Sequence, residues 1–206
     1  MIDKKPIETL KQKLGDPLPG WDAQKDLMPE SRKHFELPKP SELYPAAVLI
    51  ALFPQDGEWV FPLIRRTQDG YAHSGQIALP GGRKEGQEKA RDTALREAFE
   101  EVNLPQDQIN IIGKMSQLPI PVSKHMVQPL VGYLDEAPDL KREPLEVDEI
   151  LIVRLKEFCS MGVQTETRQY SGIDFEVPYF DIQGHKVWGA TGMILSEFRR
   201  LTADLY

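Results

Sequence analysis

Three glutamates, Glu97, Glu100 and Glu101, stand at i, i+3 and i+4 in the run GGRKEGQEKARDTALREAFEEVNL, which begins at Gly81. In a helix that spacing stacks the carboxylates on one face. Like charges so placed repel and weaken the helix. A solvated acidic face would simply carry that cost. A cation held between the carboxylates would remove it, and oxygen-only ligands favour a hard ion such as Mg²⁺ or Mn²⁺. The flanking residues favour the cation. Pro80, Gly81 and Gly82 form a tight turn before the helix, where backbone groups can approach a ligand closely. Ala90, Ala94, Leu95, Ala98 and Val102 fall on the opposite face, small enough to pack tightly on a sheet. Arg96 precedes Glu100 by four residues, in position to brace a carboxylate.

Such a helix needs a sheet beneath it, and the chain supplies one. AAVLIALF (46–53) and EWVFPLIRR (58–66) read as strands joined by the turn PQDG. Residues 67–80 form a long loop, and the acidic helix runs from about 87 to 102. Further strands are expected at 109–118, 125–134 and 149–155, the last leading into a short helix. VQTETRQY and IDFEVPYFDIQGHKVWG look like antiparallel strands, and residues 190–205 close the chain as an amphipathic helix. Residues 4–14 read as another amphipathic helix. The proline-rich stretch from Gly15 to Pro45 is expected to be ordered, with little regular structure. Two regions follow: an N-terminal helix and extended segment at 1–44, packing on the domain or a partner, and the main domain at 45–206. Periodicity alone supports an α/β or α+β domain.

Composition excludes several classes. The chain of 206 residues carries 25 basic and 32 acidic side chains for a net charge of −7, with no basic stripe, so nonspecific nucleic-acid binding is disfavoured. No apolar run is long enough to cross a bilayer, and MIDKKPIETLKQKL does not read as a signal peptide. The single cysteine, Cys159, rules out an internal disulfide and reads as a small core residue, which fits a reducing cytoplasm. The apolar C-terminal helix and the extension leave room for a homodimer.

The segment around the glutamates resembles the Nudix box, G-x5-E-x7-R-E-U-x-E-E-x-G-U, with U aliphatic. Gly82, Glu88, Arg96, Glu97, Ala98, Glu100, Glu101 and Leu104 fall in register, and Asn103 stands where the pattern has glycine. Asn tolerates a left-handed helix cap better than most residues. The resemblance implies a mixed β-sheet sandwiched between α-helices. It also implies metal-dependent hydrolysis of a nucleoside diphosphate linked to another group. Carried over by position, Glu97 and Glu101 are metal ligands. Glu100 is a third ligand or orients the attacking water, and the carbonyl of Gly81 completes the coordination. Arg96 holds a box glutamate, and Glu88 supports the loop–helix geometry. The general base does not transfer with the box. PLEVDEI offers Glu146 or Glu149, and Glu149 joins Glu100 as the expected catalytic pair.

The preceding loop resembles the coenzyme A pyrophosphatase signature, L-L-T-x-R-[SA]-x3-R-x3-G-x3-F-P-G-G. Arg66, Gly75, Pro80, Gly81 and Gly82 align, whereas Pro62, Ile64, Thr67, Tyr71 and Leu79 depart. Tyr71 replaces an arginine, the natural partner for the 3′-phosphate of coenzyme A. The implied reaction is coenzyme A plus water giving 3′,5′-ADP and 4′-phosphopantetheine. ADP-ribose, another nucleoside diphosphate sugar or a dinucleotide is the alternative substrate, and a catalytically silent nucleotide-binding domain is a third reading. Substrate contacts are expected from Arg65, Arg66, His73, Gly82 and Arg83, with Lys124 and His125 as further phosphate contacts. Trp188 and Tyr179 are candidates for base stacking or for the core.

Overall fold

The computed structural model describes residues 2–30, 32, 38–68, 75–170 and 173–206. Five helices and eleven strands appear among them: α1 (Lys5–Gly15), α2 (Trp21–Gln24), β1 (Tyr44–Gln55), β2 (Glu58–Arg66), β3 (Ile77–Ala78), β4 (Gly81–Arg83), α3 (Ala90–Val102), β5 (Asn110–Lys114), β6 (Leu118–Ile120), β7 (His125–Tyr133), β8 (Val147–Arg154), α4 (Leu155–Cys159), β9 (Gln164–Tyr170), β10 (Ile173–Ile182), β11 (His185–Val187) and α5 (Gly189–Thr202). No helix among the described residues is long and apolar enough to cross a membrane.

The main sheet runs β3-β2-β1-β7-β5, with β8 on β2, β6 on β7 and β4 on β1. β1 and β7 are parallel, from Tyr44 opposite His125 to Leu52 opposite Tyr133. The other pairs are antiparallel. The β1–β2 hairpin turns at Asp56 and Gly57, both at positive φ, which suits the twist of its strands.

Strand alternation sorts the core into two layers. Ala47, Leu49, Ala51 and Phe53 of β1 pack with Ala94, Leu95, Ala98 and Val102 of α3. Ala46, Ile50 and Leu52 face the other way, toward α1, α4, α5 and the β9–β11 sheet. There Phe158 meets the rings of Phe61, Phe180 and Phe198 at centroid distances of 5.4, 5.6 and 5.8 Å. The alanine-rich face of α3 lets that helix lie close to the sheet, so its acidic face is held near the end of β4.

Several boundaries differ from the sequence expectation. The strand expected at 109–118 is two strands, because the chain breaks at Met115–Gln117. There the N–H of Ser116 donates to Glu197, and Gln128 Nε2 donates to the Met115 carbonyl. The loop expected at 67–80 contains β3. α3 starts at Ala90 rather than near 87: Lys89 is still extended, and its N–H donates to the Asp92 carboxylate at 3.0 Å. That leaves Glu88 free of the helix. The N-terminal segment carries more regular structure than its prolines suggest. Ile7, Leu10 and Leu14 of α1 enter the core, and α2 is followed by a 3₁₀ turn at Lys25–Leu27.

One buried carboxylate fastens that segment. Glu197 of α5 is 0% exposed, and accepts from Gly20 N (3.2 Å), Gln24 Nε2 (2.9 Å) and Ser116 N (3.3 Å). Glu197→Ala removes an acceptor from three donors and leaves a void, so we expect a loss of roughly 2–4 kcal/mol in urea unfolding. A loss of under about 1 kcal/mol, the size of one ordinary hydrogen bond, would mean that water replaces it.

Candidate active site

The glycine turn is forced by packing. Gly81 and Gly82 lie in β4, opposite Val48 and Ala47. Gly81 has φ +150°, and a Cβ there would sit 2.4 Å from the Ala47 carbonyl oxygen. A Cβ on Gly82 would lie 2.5 Å from the Glu97 carboxylate. Only glycine lets β4 and Glu97 come this close. At the far end of α3, Asn103 takes the left-handed conformation at φ 60°, ψ 32°. Its N–H closes on Phe99 O at 2.9 Å, and its side-chain amide donates to Asp139 O at 2.8 Å. The departure from glycine therefore keeps the cap and adds a tether to the loop between β7 and β8.

Arg96 organises the acids. Its Nε donates to Glu88 Oε1 at 2.7 Å and its Nη2 to Glu88 Oε2 at 3.2 Å, a two-pronged pair. Nη1 donates to Glu97 (3.0 Å) and Glu100 (2.8 Å), and Nη2 also reaches the Arg83 carbonyl at 3.2 Å. The Arg96 hydrogen bond, helped by the Glu85 N–H, lowers the Glu88 carboxyl to about 2. The bracing expected of Arg96 and the loop support expected of Glu88 are thus one interaction.

Glu101 is the unusual group. It is 1% exposed, accepts from Gly81 N at 2.8 Å, and pairs with Arg66 Nη1 at 3.3 Å. Burial raises its carboxyl to about 8, against the Gly81 hydrogen bond and Arg66, with the charges of Glu97 and Glu146 adding to the rise. Burial also raises Glu97, against Arg96 and with help from Glu100 and Glu146. Glu97 and Glu101 are thus poorly solvated, and the charge of the exposed Glu146 acts on both.

The structure sorts the remaining sequence candidates by sheet face. On β2, Val60 and Ile64 pack toward α3, whereas Phe61 and Leu63 pack the other way. Arg66 follows the first set and reaches Glu101. Arg65 follows the second, where it meets Glu149 at 3.4 Å, with His185 Nε2 3.7 Å from the same carboxylate. Arg65 and Glu149 are therefore not brought to the box carboxylates. The cause is a bulge: Arg65 faces Glu149 and Arg66 faces Val147, so Asp148 is extra and reverses the alternation. Glu146, just before the bulge, is the acid that stays with Glu97 and Glu101. Arg83 stacks on Tyr44 at 3.9 Å. Tyr179 is buried, its hydroxyl donating to Gln164 at 3.0 Å, and Trp188 lies under Arg168 at 4.4 Å. His73 and Tyr71 lie outside the described residues. Sequence reading missed the Arg66–Glu101 pair, for which the spacing 66 to 101 gives no signal.

The NUDIX domain family matches residues 43–168, and the chain belongs to that family. It is a Nudix hydrolase. Over 140 residues it is 34% identical to the uncharacterized Nudix hydrolase NudL of Photorhabdus laumondii, covering 66% of this chain and 73% of that protein. Nudix hydrolase 3 of Caenorhabditis elegans is 27% identical over 193 residues, covering 84% of this chain and 80% of that protein. Among solved structures, the Nudix hydrolase RenU of M. smegmatis aligns with a TM-score of 0.56 at 17% identity, over 78% of this chain and 86% of that one, a likeness of fold.

The raised Glu101 has a thermodynamic consequence. Its folded value of about 8 lies above the ordinary 4.5. The stability it lends the metal-free protein is therefore complete below 4.5 and is lost as pH rises through 8. Urea unfolding with a chelator present should show stability falling across that window, and Glu101→Gln should flatten the fall. Equal slopes for the two proteins would refute the assignment.

Proposed function

We propose that this protein hydrolyses the pyrophosphate bond of a nucleoside diphosphate derivative, coenzyme A first among them, with Mg²⁺ or Mn²⁺. The observation that carries this reading is the pair of buried, poorly solvated box acids, Glu97 and Glu101, each raised further by the charge of Glu146. Mutually repelling carboxylates beside a glycine turn fit a hard divalent cation. Among the described residues no three or more His, Cys, Asp or Glu side chains are already grouped so as to hold a metal ion. Arg96 holds Glu97 and Glu100, and the Gly81 N–H holds Glu101. Glu97 and Glu101 would hold the ion, with Glu100 and the Gly81 carbonyl beside them. When bound, such an ion supplies positive charge against the phosphates and makes water more acidic.

The residues of the chain do the rest. Arg66, 37% exposed next to Glu101, offers its outer edge to a phosphate oxygen. Glu146 is exposed and close to both box acids, and takes a proton from the attacking water. The water oxygen bonds to phosphorus, the bridging P–O bond breaks, and the leaving phosphate keeps the bridging oxygen. With coenzyme A the products are 3′,5′-ADP and 4′-phosphopantetheine. The alignment of Arg66, Gly75, Pro80, Gly81 and Gly82 with the coenzyme A signature supports that substrate. Tyr71, in place of the signature arginine, favours ADP-ribose or a dinucleotide as the second reading.

The test is a hydrolysis assay with Mg²⁺ or Mn²⁺ that separates products from coenzyme A, ADP-ribose and NADH side by side. We expect 3′,5′-ADP from coenzyme A as the leading product, and faster release from either other substrate would overturn that choice. Glu101→Gln and Glu146→Gln should each lower turnover by about 100-fold or more, whereas Glu149→Gln should stay near wild type. If Glu149→Gln is the more damaging of the two base variants, the base is misassigned.

A further inference from the structure

Behind the carboxylates lies a second cluster whose chemistry the hydrolytic site does not use. Arg83 is the residue after Gly82, and its side chain points to the opposite face of β4. It sits opposite Ala46, which belongs to the layer away from α3. Its guanidinium lies 3.9 Å over the ring of Tyr44, two residues along the same face of β1. Tyr44 is a large aromatic left 47% exposed, and its ring centroid is 6.1 Å from that of His125 on the neighbouring strand. The backbones of two lysines adjoin this shelf. Lys84 is anchored by its N–H to Pro45 O at 2.9 Å, and Lys124 accepts the Tyr44 N–H at 2.7 Å. Among the described residues none of Arg83, Lys84 and Lys124 forms an ion pair. In a chain of net charge −7 this corner gathers three cationic residues.

The corner is rigidly joined to the acids. Arg96, which holds Glu97 and Glu100, also holds the Arg83 carbonyl at 3.2 Å. β4 pairs only with β1 among the described residues, so its other edge has no strand partner there. A ligand whose phosphates lie at Glu97 and Glu101 can pass around that edge and reach Arg83. A guanidinium already held over a ring can offer its outer side to a base, with less freedom left to lose.

We propose that Tyr44 and Arg83, with Lys84 and Lys124 at the rim, form the nucleoside subsite. The base stacks on the outer plane of Arg83, and the lysines take a phosphate on the ribose. This rests on the nucleotide substrate proposed above. It makes the cationic rim, rather than the position of Tyr71, the place where a ribose phosphate is read.

The test is calorimetric titration of 3′,5′-ADP, AMP and 4′-phosphopantetheine into wild type, Tyr44→Leu, Tyr44→Phe and Arg83→Gln. Loss of one stacking partner should weaken both nucleotides about ten-fold in Tyr44→Leu and Arg83→Gln. Tyr44→Phe should restore affinity to within about two-fold, and the base-free 4′-phosphopantetheine should move by no more than that in any variant. Arg83 is exposed beyond its ring contact, so its variant tests the subsite even if Tyr44→Leu folds poorly. Wild-type affinity for 3′,5′-ADP in Arg83→Gln, or no nucleotide binding by wild type, would overturn the proposal. Coenzyme A left intact by wild type, with nucleotide binding still dependent on Arg83, would sink the substrate choice and leave this subsite standing.

Discussion

The guanidinium of Arg96 is the interaction on which the rest of the site depends. It reaches Glu88 with two nitrogens, Glu97 and Glu100 with a third, and the carbonyl of Arg83 as well. One planar cation therefore fixes the loop before α3, the acidic face of α3 and the end of β4. A lysine carries the same charge at one point and could not span these partners. The i+3 repulsion between Glu97 and Glu100 is offset by a residue of that helix, whereas the i+4 repulsion between Glu97 and Glu101 remains.

Glu101 shows the opposite economy. It sits among groups that do little to favour its charge, since the Gly81 N–H and Arg66 do not offset its burial. A carboxyl so placed destabilises the fold when ionised, and the surrounding layers must compensate. The phenylalanine cluster on one side of the sheet and the alanine-lined contact of α3 on the other supply that reserve. Both layers meet on β1, whose two faces alternate between them.

Much of this was legible in the sequence, because box residues are close along the chain and a helix turns spacing into geometry. Glu97, Glu100, Glu101 and Arg96 could be placed from spacing, and the left-handed Asn103 from its register with the Nudix box. Long-range arrangements could not. Glu149 reads as a better strand residue than Glu146, yet the extra residue at Asp148 sends it to the other face with Arg65. The break at Met115–Gln117 is set by Glu197, some eighty residues further along. Tyr44 falls within the stretch expected to have little regular structure, and only the β1–β4 register shows it beneath Arg83.

The parallel pairing of β1 with β7 also governs when the catalytic centre can exist. Tyr44 to Leu52 find their partners at His125 to Tyr133, while β4 and β2 lie on the other flank. A chain still being made on the ribosome can form the β1–β2 hairpin and α3 early, since both are local. Until β7 emerges, one flank of an almost wholly apolar β1 has unpaired backbone groups, and such an edge invites pairing with other chains. The acids on α3 are synthesised well before the sheet beneath them is complete. The enzyme's most exposed moment is therefore in its birth, between the making of α3 and the arrival of Tyr133.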